Sequence, residues 1–176
     1  MSDLKGEKGL IHVYTGDGKG KTTAALGLAL RAAGHGLKVI VIQFVKGNPD
    51  CGEHLFASKY QPFEIVQLTE GDSFTMPDEE LRLATSKTFA YARKVLMSGE
   101  YQVVILDEIF AAINRGVLDI PEVIDLIGRK VDLVELVMTG RGAPEEITKL
   151  ADLVTEMRMI RHPFARGIKA RRGIEY

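Results

Sequence analysis

The stretch TGDGKGKTT, residues 15–23, decides the fold of this chain because it lies between a short apolar run and an apolar helical segment. Glycines permit positive φ angles and close backbone approach, so successive N–H groups can converge on phosphate oxygens. The helix that follows would direct the positive end of its dipole at the same anion. The order of strand, loop and helix predicts a phosphate-binding loop; the competing interpretation is a glycine-rich turn without a ligand.

The loop departs at one position from the nucleotide-binding pattern G-x-x-x-x-G-K-[ST]. The first glycine of that pattern falls on Thr15, and we expect Gly16 to take over the turn. Lys21 is predicted to bridge phosphates as a point charge, and the Thr22 hydroxyl to bind Mg²⁺. The predicted phosphate-binding residues are Gly16, Asp17, Gly18, Lys19, Gly20, Lys21, Thr22 and Thr23.

A second apolar run ends in two carboxylates, in the sequence VVILDE at residues 103–108. A carboxylate at the end of a strand beside the loop would hold Mg²⁺ directly or through water. The pattern is weak by itself, but together with the loop it predicts Asp107 and Glu108 near the metal. The two motifs specify a nucleotide-binding fold and leave the reaction open.

Apolar runs alternate with segments of helical periodicity along the whole chain. Together with the two motifs, this alternation predicts an α/β fold of the P-loop (RecA-like) type, with a mostly parallel sheet of about six strands and helices on both faces. A single domain over residues 1–176 is expected. The predicted strands are 10–14, 38–44, 63–67, 102–106, 133–138 and 153–156. The predicted helices are 20–33, 77–97, 120–128 and 144–150, and residues 46–61 are predicted to be irregular.

Composition excludes several classes of protein. Among 176 residues, 23 Lys and Arg oppose 24 Asp and Glu, and 45% are hydrophobic, so neither a disordered chain nor a general affinity for nucleic acid is expected. Cys51 is the only cysteine, and no signal peptide or membrane-spanning segment is evident. A cytoplasmic protein is therefore predicted.

Several segments in order resemble the P-loop corrinoid (cob(I)alamin) adenosyltransferases. They are residues 15–25, QFVKG at 43–47, LDE at 106–108, TGR at 139–141, and the tail from HPF at 162–164 to GIEY at 173–176. The resemblance implies transfer of the 5′-deoxyadenosyl group of ATP to the Co(I) of a reduced corrinoid, with release of triphosphate. It also implies bound Mg²⁺, a homodimer and a reductant of the flavodoxin type.

The resemblance further implies a catalytic role for Lys21 and an aromatic wedge that displaces the lower cobalt ligand. By matched position the wedge comprises Phe74 and Met76, although Met76 stands where the family has Trp. The competing interpretation is that both side chains simply pack on the core. Arg141 is either a nucleotide or corrin contact or a surface arginine, and His54, in the long loop, is a weaker candidate for the corrin.

Two other functions remain compatible with the motifs. One is an ATPase or small-molecule kinase, which would cleave between phosphates. The other is a module that binds corrinoid and nucleotide without turnover. The products formed from ATP distinguish all three.

Overall fold

A computed structural model of the chain describes residues 8–45, 51–69 and 75–175. Its six strands are β1 (Ile11–Thr15), β2 (Val39–Gln43), β3 (Glu64–Gln67), β4 (Val103–Asp107), β5 (Glu135–Thr139) and β6 (Leu153–Glu156). They form one sheet in the order β3-β2-β4-β5-β1-β6, and all neighbouring strands run parallel. The predicted α/β fold with a parallel sheet of six strands is confirmed.

Helices cover both faces of this sheet. They are α1 (Lys21–Gly34), α2 (Gly52–Tyr60), α3 (Asp78–Ser98), α4 (Ile109–Asn114), α5 (Ile120–Gly128) and α6 (Glu145–Thr148), followed by a 3₁₀ turn at Pro163–Arg166. No helix within the described ranges is both long and apolar enough to cross a membrane.

The central strands are buried on both faces, as their unbroken apolar sequences require. Side chains of β2 alternate between two cores: Val41 packs with α1, whereas Ile40 and Ile42 pack on the opposite face with α3. The edge strand β6 differs, because all four of its residues are exposed. The sheet is thus a rigid platform whose carboxyl ends all emerge at the edge where the glycine loop lies.

Two helices were absent from the sequence prediction. The prediction that residues 46–61 are irregular is wrong for Gly52–Tyr60, which form α2, and residues 46–50 of that segment lie outside the described residues. Only Ala57 of α2 is fully buried, so its sequence lacks a marked apolar stripe. Helix α4 has only six residues and follows β4 almost directly, so it is too short to show a helical repeat of apolar residues.

Candidate functional site

Three polar residues end three neighbouring central strands on the same face of the sheet. Gln43, Asp107 and Thr139, which we call the polar row, are the last residues of β2, β4 and β5, and each is completely buried. Side chains two positions earlier in the same strands pack against α1. Since side chains two apart point to one face, the polar row lies beneath the start of α1.

The glycine loop needs glycine at Gly16 for both conformation and space. Gly16 has φ 97°, and a Cβ there would collide with the Met157 carbonyl oxygen. The Gly18 amide N–H donates to that same carbonyl at 2.6 Å. The segment just after β6 therefore packs against the loop and hydrogen-bonds to it. The prediction that Gly16 provides the turn in place of the first glycine of the pattern is confirmed.

Lys21 reaches back under the loop that precedes it. Its ammonium donates to the carbonyl oxygens of Gly16, at 2.7 Å, and of Gly18, at 2.8 Å. Burial lowers the pKa of this ammonium, while the nearby Glu108 carboxylate acts in the opposite direction. A buried cation held among loop carbonyls is suited to a polyanion, because phosphate oxygens are stronger acceptors for its protons.

The Asp107 carboxylate links the loop to the polar row. Its Oδ1 atom accepts hydrogen bonds from the hydroxyls of Thr22, at 2.9 Å, and Thr139, at 2.7 Å. Its Oδ2 atom accepts from Gln43 Nε2 at 3.2 Å. Because it accepts these hydrogen bonds, the Asp107 carboxylate is fixed in orientation. The Thr22 hydroxyl donates its proton to Asp107, so its oxygen keeps lone pairs for a cation.

Glu108 adopts a left-handed backbone conformation with φ 59°, which is rare for a residue other than glycine. Its backbone N–H donates to the Thr139 hydroxyl at 3.0 Å. This kink ends β4 and brings Glu108 to the wall of the cavity above the loop. Such unfavourable conformations persist where surrounding contacts enforce them, and they concentrate at functional sites.

A cavity of about 540 Å³ lies over the glycine loop. Asp17, Gly18, Lys19, Gly20, Lys21, Thr22, Thr23, Glu108 and Arg141 line it, together with the start of α2 and residues of the tail. Asn114 Nδ2 donates to the Arg141 carbonyl oxygen at 2.7 Å and so fixes the turn that carries this arginine. The structure thus brings nearly all the predicted nucleotide residues around one cavity.

The cavity fits a polyphosphate with one hard cation. The first amide N–H groups of α1 have no partner within the helix and open onto the glycine loop. In the described part of the chain, no cluster of three or more His, Cys, Asp or Glu side chains could hold a metal alone. Magnesium commonly binds through one or two protein ligands together with substrate phosphates, and Thr22, Asp107 and Glu108 suit that arrangement.

Two further predicted site residues, Met76 and His54, do not line this cavity. Phe74 lies outside the described residues. Met76 is partly buried and packs against the core on the α3 face, a contact that the core-packing interpretation expects. His54 lies on α2 and contacts Gln43. Sequence reasoning assigned no role to Gln43 or Thr139; the available signal was a polar side chain within the apolar run at 39–45, for Gln43, and at the end of the run at 136–139, for Thr139.

Comparisons with known proteins agree with the motifs. A family model described as ATP:corrinoid adenosyltransferase BtuR/CobO/CobP matches residues 7–176. The corrinoid adenosyltransferase of Pseudomonas aeruginosa is 35% identical over 179 residues, which cover 100% of this chain and 88% of the relative. That of Escherichia coli strain K12 is 36% identical, covering 100% of this chain and 90% of the relative.

A third relative, the corrinoid adenosyltransferase CobA of Salmonella typhimurium, is 36% identical over 179 residues, covering 100% of this chain and 90% of its own length. The resemblance inferred from short motifs is therefore confirmed along the whole sequence. Because the family model spans almost every residue and these relatives align from end to end, this chain belongs to the ATP:corrinoid adenosyltransferase family.

Proposed function

We propose that this protein transfers the 5′-deoxyadenosyl group of ATP to the Co(I) ion of a reduced corrinoid and releases inorganic triphosphate. Family membership places it among transferases of adenosylcobalamin biosynthesis. The observation that carries the proposal is the buried Lys21 ammonium beneath a glycine loop that opens onto a cavity large enough for a polyphosphate. In this reaction the loop grips the entire triphosphate as a leaving group.

The proposed reaction requires little acid–base catalysis by protein side chains. The electron pair on Co(I) forms the bond to C5′, and the pair of the broken C5′–O5′ bond leaves with the triphosphate. No proton has to be removed, so no general base is required. The protein contributes positioning of C5′ and stabilisation of the charge that develops on the departing oxygen. Lys21 and the loop amides are the groups that supply this charge stabilisation.

We assign magnesium binding to Thr22, Asp107 and Glu108. Asp107 would act directly or through water, since its carboxylate already orients the Thr22 hydroxyl. Bound magnesium would neutralise phosphate charge and thereby improve the leaving group. Arg141, at the cavity wall, would contact the nucleotide or the corrin.

On the corrinoid side we assign Phe74 and Met76 to the surface that displaces the lower cobalt ligand. Methionine is apolar and adaptable enough to fill such a space, although it presents less rigid area than tryptophan. Phe74→Ala should then impair adenosylation that starts from Co(II) more than adenosylation that starts from pre-formed Co(I). Equal losses from both starting states would contradict the wedge role.

We also propose that the chain acts in the cytoplasm as a single domain and a homodimer, with an electron donor of the flavodoxin type. The location and the single domain follow from the composition and pattern of the sequence, whereas the dimer and the electron donor follow from the family resemblance. Sedimentation at several concentrations tests the dimer, and reduction of the Co(II) corrinoid by a purified flavodoxin tests the donor.

Product identity tests the proposed reaction against its alternatives. Protein incubated with MgATP and a chemically reduced corrinoid should form an adenosylcorrinoid, seen by its light-sensitive absorption spectrum, together with triphosphate. An ATPase or small-molecule kinase would instead produce ADP or orthophosphate with the corrinoid intact. A binding module would leave ATP unchanged.

A further inference from the structure

A hydrogen-bonded path joins α2 to the polar row and through it to the glycine loop. His54 Nε2 lies 2.7 Å from Gln43 Oε1, and Gln43 Nε2 lies 3.2 Å from Asp107 Oδ2. Asp107 in turn accepts the Thr22 hydroxyl at 2.9 Å. His54 on α2 is thus linked through hydrogen bonds to the hydroxyl of Thr22 on α1, the hydroxyl that we assign to magnesium.

The direction of every bond in this path follows from the carboxylate at its centre. An ionised Asp107 can only accept hydrogen bonds, so the group of Gln43 that faces it must be the amide NH₂. The amide oxygen of Gln43 is then turned toward His54. Consequently His54 must carry a proton on Nε2 in order to donate to that oxygen.

Because Gln43 is buried, the orientation of its amide group has an energetic consequence. Gln43 and Asp107 are both completely buried, so neither can exchange a lost partner for bulk water. Without the His54 donor, the Gln43 amide oxygen would be left buried without that hydrogen bond, and such groups are costly. Rotation of the amide would relieve that cost, and it would also withdraw a donor from Asp107.

We propose that His54 is a positioning residue for the magnesium–nucleotide site, because its Nε2–H holds Gln43 in the orientation that fixes Asp107 toward Thr22. This inference rests on the proposed function, since it takes Thr22 and Asp107 to be magnesium-binding residues. Helix α2 also lines the cavity, through Gly52 and Glu53. If His54 has this role, the position of α2 is coupled to the affinity for MgATP.

The test measures the dissociation constant of ATP by calorimetry, once with Mg²⁺ and once with a chelator instead. The variants are His54→Ala, His54→Gln, which keeps a side-chain N–H donor, and the control His35→Ala at the far end of α1. His54→Ala should weaken ATP binding about 2- to 10-fold with Mg²⁺, the range of one neutral hydrogen bond, and leave binding without Mg²⁺ unchanged. His54→Gln should recover most of the loss, and His35→Ala should match the wild type.

Two results would overturn the inference. One is full Mg²⁺-dependent affinity in His54→Ala, and the other is an equal loss with and without Mg²⁺, which would indicate a merely structural role. A spectroscopic measurement on the wild type avoids dependence on how a variant folds. Nitrogen chemical shifts of the His54 ring should show a proton on Nε2 at neutral pH, and a proton on Nδ1 alone would also overturn the proposal.

The same experiment separates failure of this inference from failure of the proposed function. If wild-type binding of ATP does not depend on Mg²⁺, the magnesium site itself is wrong and the inference falls with it. A different outcome rejects only the role of His54. In that outcome wild-type binding of ATP depends on Mg²⁺, Thr22→Ala removes this dependence, and His54→Ala retains it.

Discussion

A buried lysine, Lys21, and a half-buried lysine, Lys130, lie at opposite edges of the same sheet and differ in their surroundings. At the carboxyl edge, Lys21 donates to two carbonyl oxygens of the glycine loop. At the amino edge, Lys130 donates to the carbonyl oxygens of Gly9, at 2.9 Å, and Val134, at 2.8 Å, and more weakly to two others. Burial lowers the pKa of both ammonium groups.

The comparison shows that burial and a shifted pKa do not by themselves identify a functional cation. Lys130 joins the chain before β1 to the chain before β5, so its acceptors are structural. Lys21 lies beside an open cavity, a helix N-terminus and the polar row, where incoming phosphates can replace its carbonyl partners. We therefore expect loss of Lys21 to abolish activity and loss of Lys130 to reduce stability.

The largest effect is expected for Lys21→Ala. The departing triphosphate would lose its buried positive charge, so kcat/KM for adenosyl transfer should fall about 100-fold or more. The free energy of unfolding should change by no more than about 1 kcal/mol, because two hydrogen bonds are lost while the cost of burying a charge is removed. Steady-state kinetics and urea unfolding measure the two quantities.

Lys130→Met should show the opposite behaviour. The apolar stem remains, but several carbonyl oxygens lose a charged donor, so the free energy of unfolding should fall by about 1.5–3 kcal/mol. Adenosyl transfer by the folded protein should proceed at the wild-type rate. If instead Lys130→Met lost activity without losing stability, the distinction between the two edges would be wrong.

A smaller effect is expected within the polar row. Thr139→Val removes one donor to Asp107 and the acceptor of the Glu108 N–H, which should cost about 1–3 kcal/mol of stability and weaken Mg²⁺-dependent ATP binding. Thr85→Val is the matched control, because the buried Thr85 hydroxyl has no hydrogen-bond partner among the described residues. That variant should be as stable as the wild type or more so, and equal losses in both would contradict the assignment.

The smallest effect concerns the tail beside the cavity. The Arg171 guanidinium, through its hydrogen bonds, lowers the pKa of the exposed Glu175 carboxyl to about 2. The pair is therefore complete above the ordinary glutamate pKa near 4.5 and is lost as pH falls toward about 2. A pH titration followed by NMR should place the Glu175 midpoint near 2, and Arg171→Ala should return it toward 4.5. An unchanged midpoint would show that Arg171 is not the cause.

Much of the carboxyl edge could be predicted from the sequence because its signals are local. Residues 15–23 carry the loop in nine consecutive positions, and the apolar runs before Asp107 and Thr139 mark buried strands. Five of the six strands were predicted to begin one or two residues early, as for 102–106 against Val103–Asp107, whereas the predicted bounds of β6 match. The family resemblance rested on such local motifs and was confirmed.

What could not be predicted depends on partners that are distant in sequence. Gln43 meets Asp107 because β2 and β4 are neighbours in register, and the order of strands is not encoded in either segment alone. Lys130 reaches Gly9 across the chain for the same reason. Helix α2 was missed because it buries little of its surface, so His54 was expected in a loop rather than on a helix beside Gln43.

The central claim, that the loop holds triphosphate as a leaving group, can be tested by following one oxygen atom. ATP labelled with ¹⁸O at the bridge between C5′ and the α-phosphorus is reacted with the enzyme and a Co(I) corrinoid, and the products are analysed by mass spectrometry. Cleavage of C5′–O5′ predicts that all the label appears in inorganic triphosphate. Label retained in ADP or another adenosine-containing product would contradict the account.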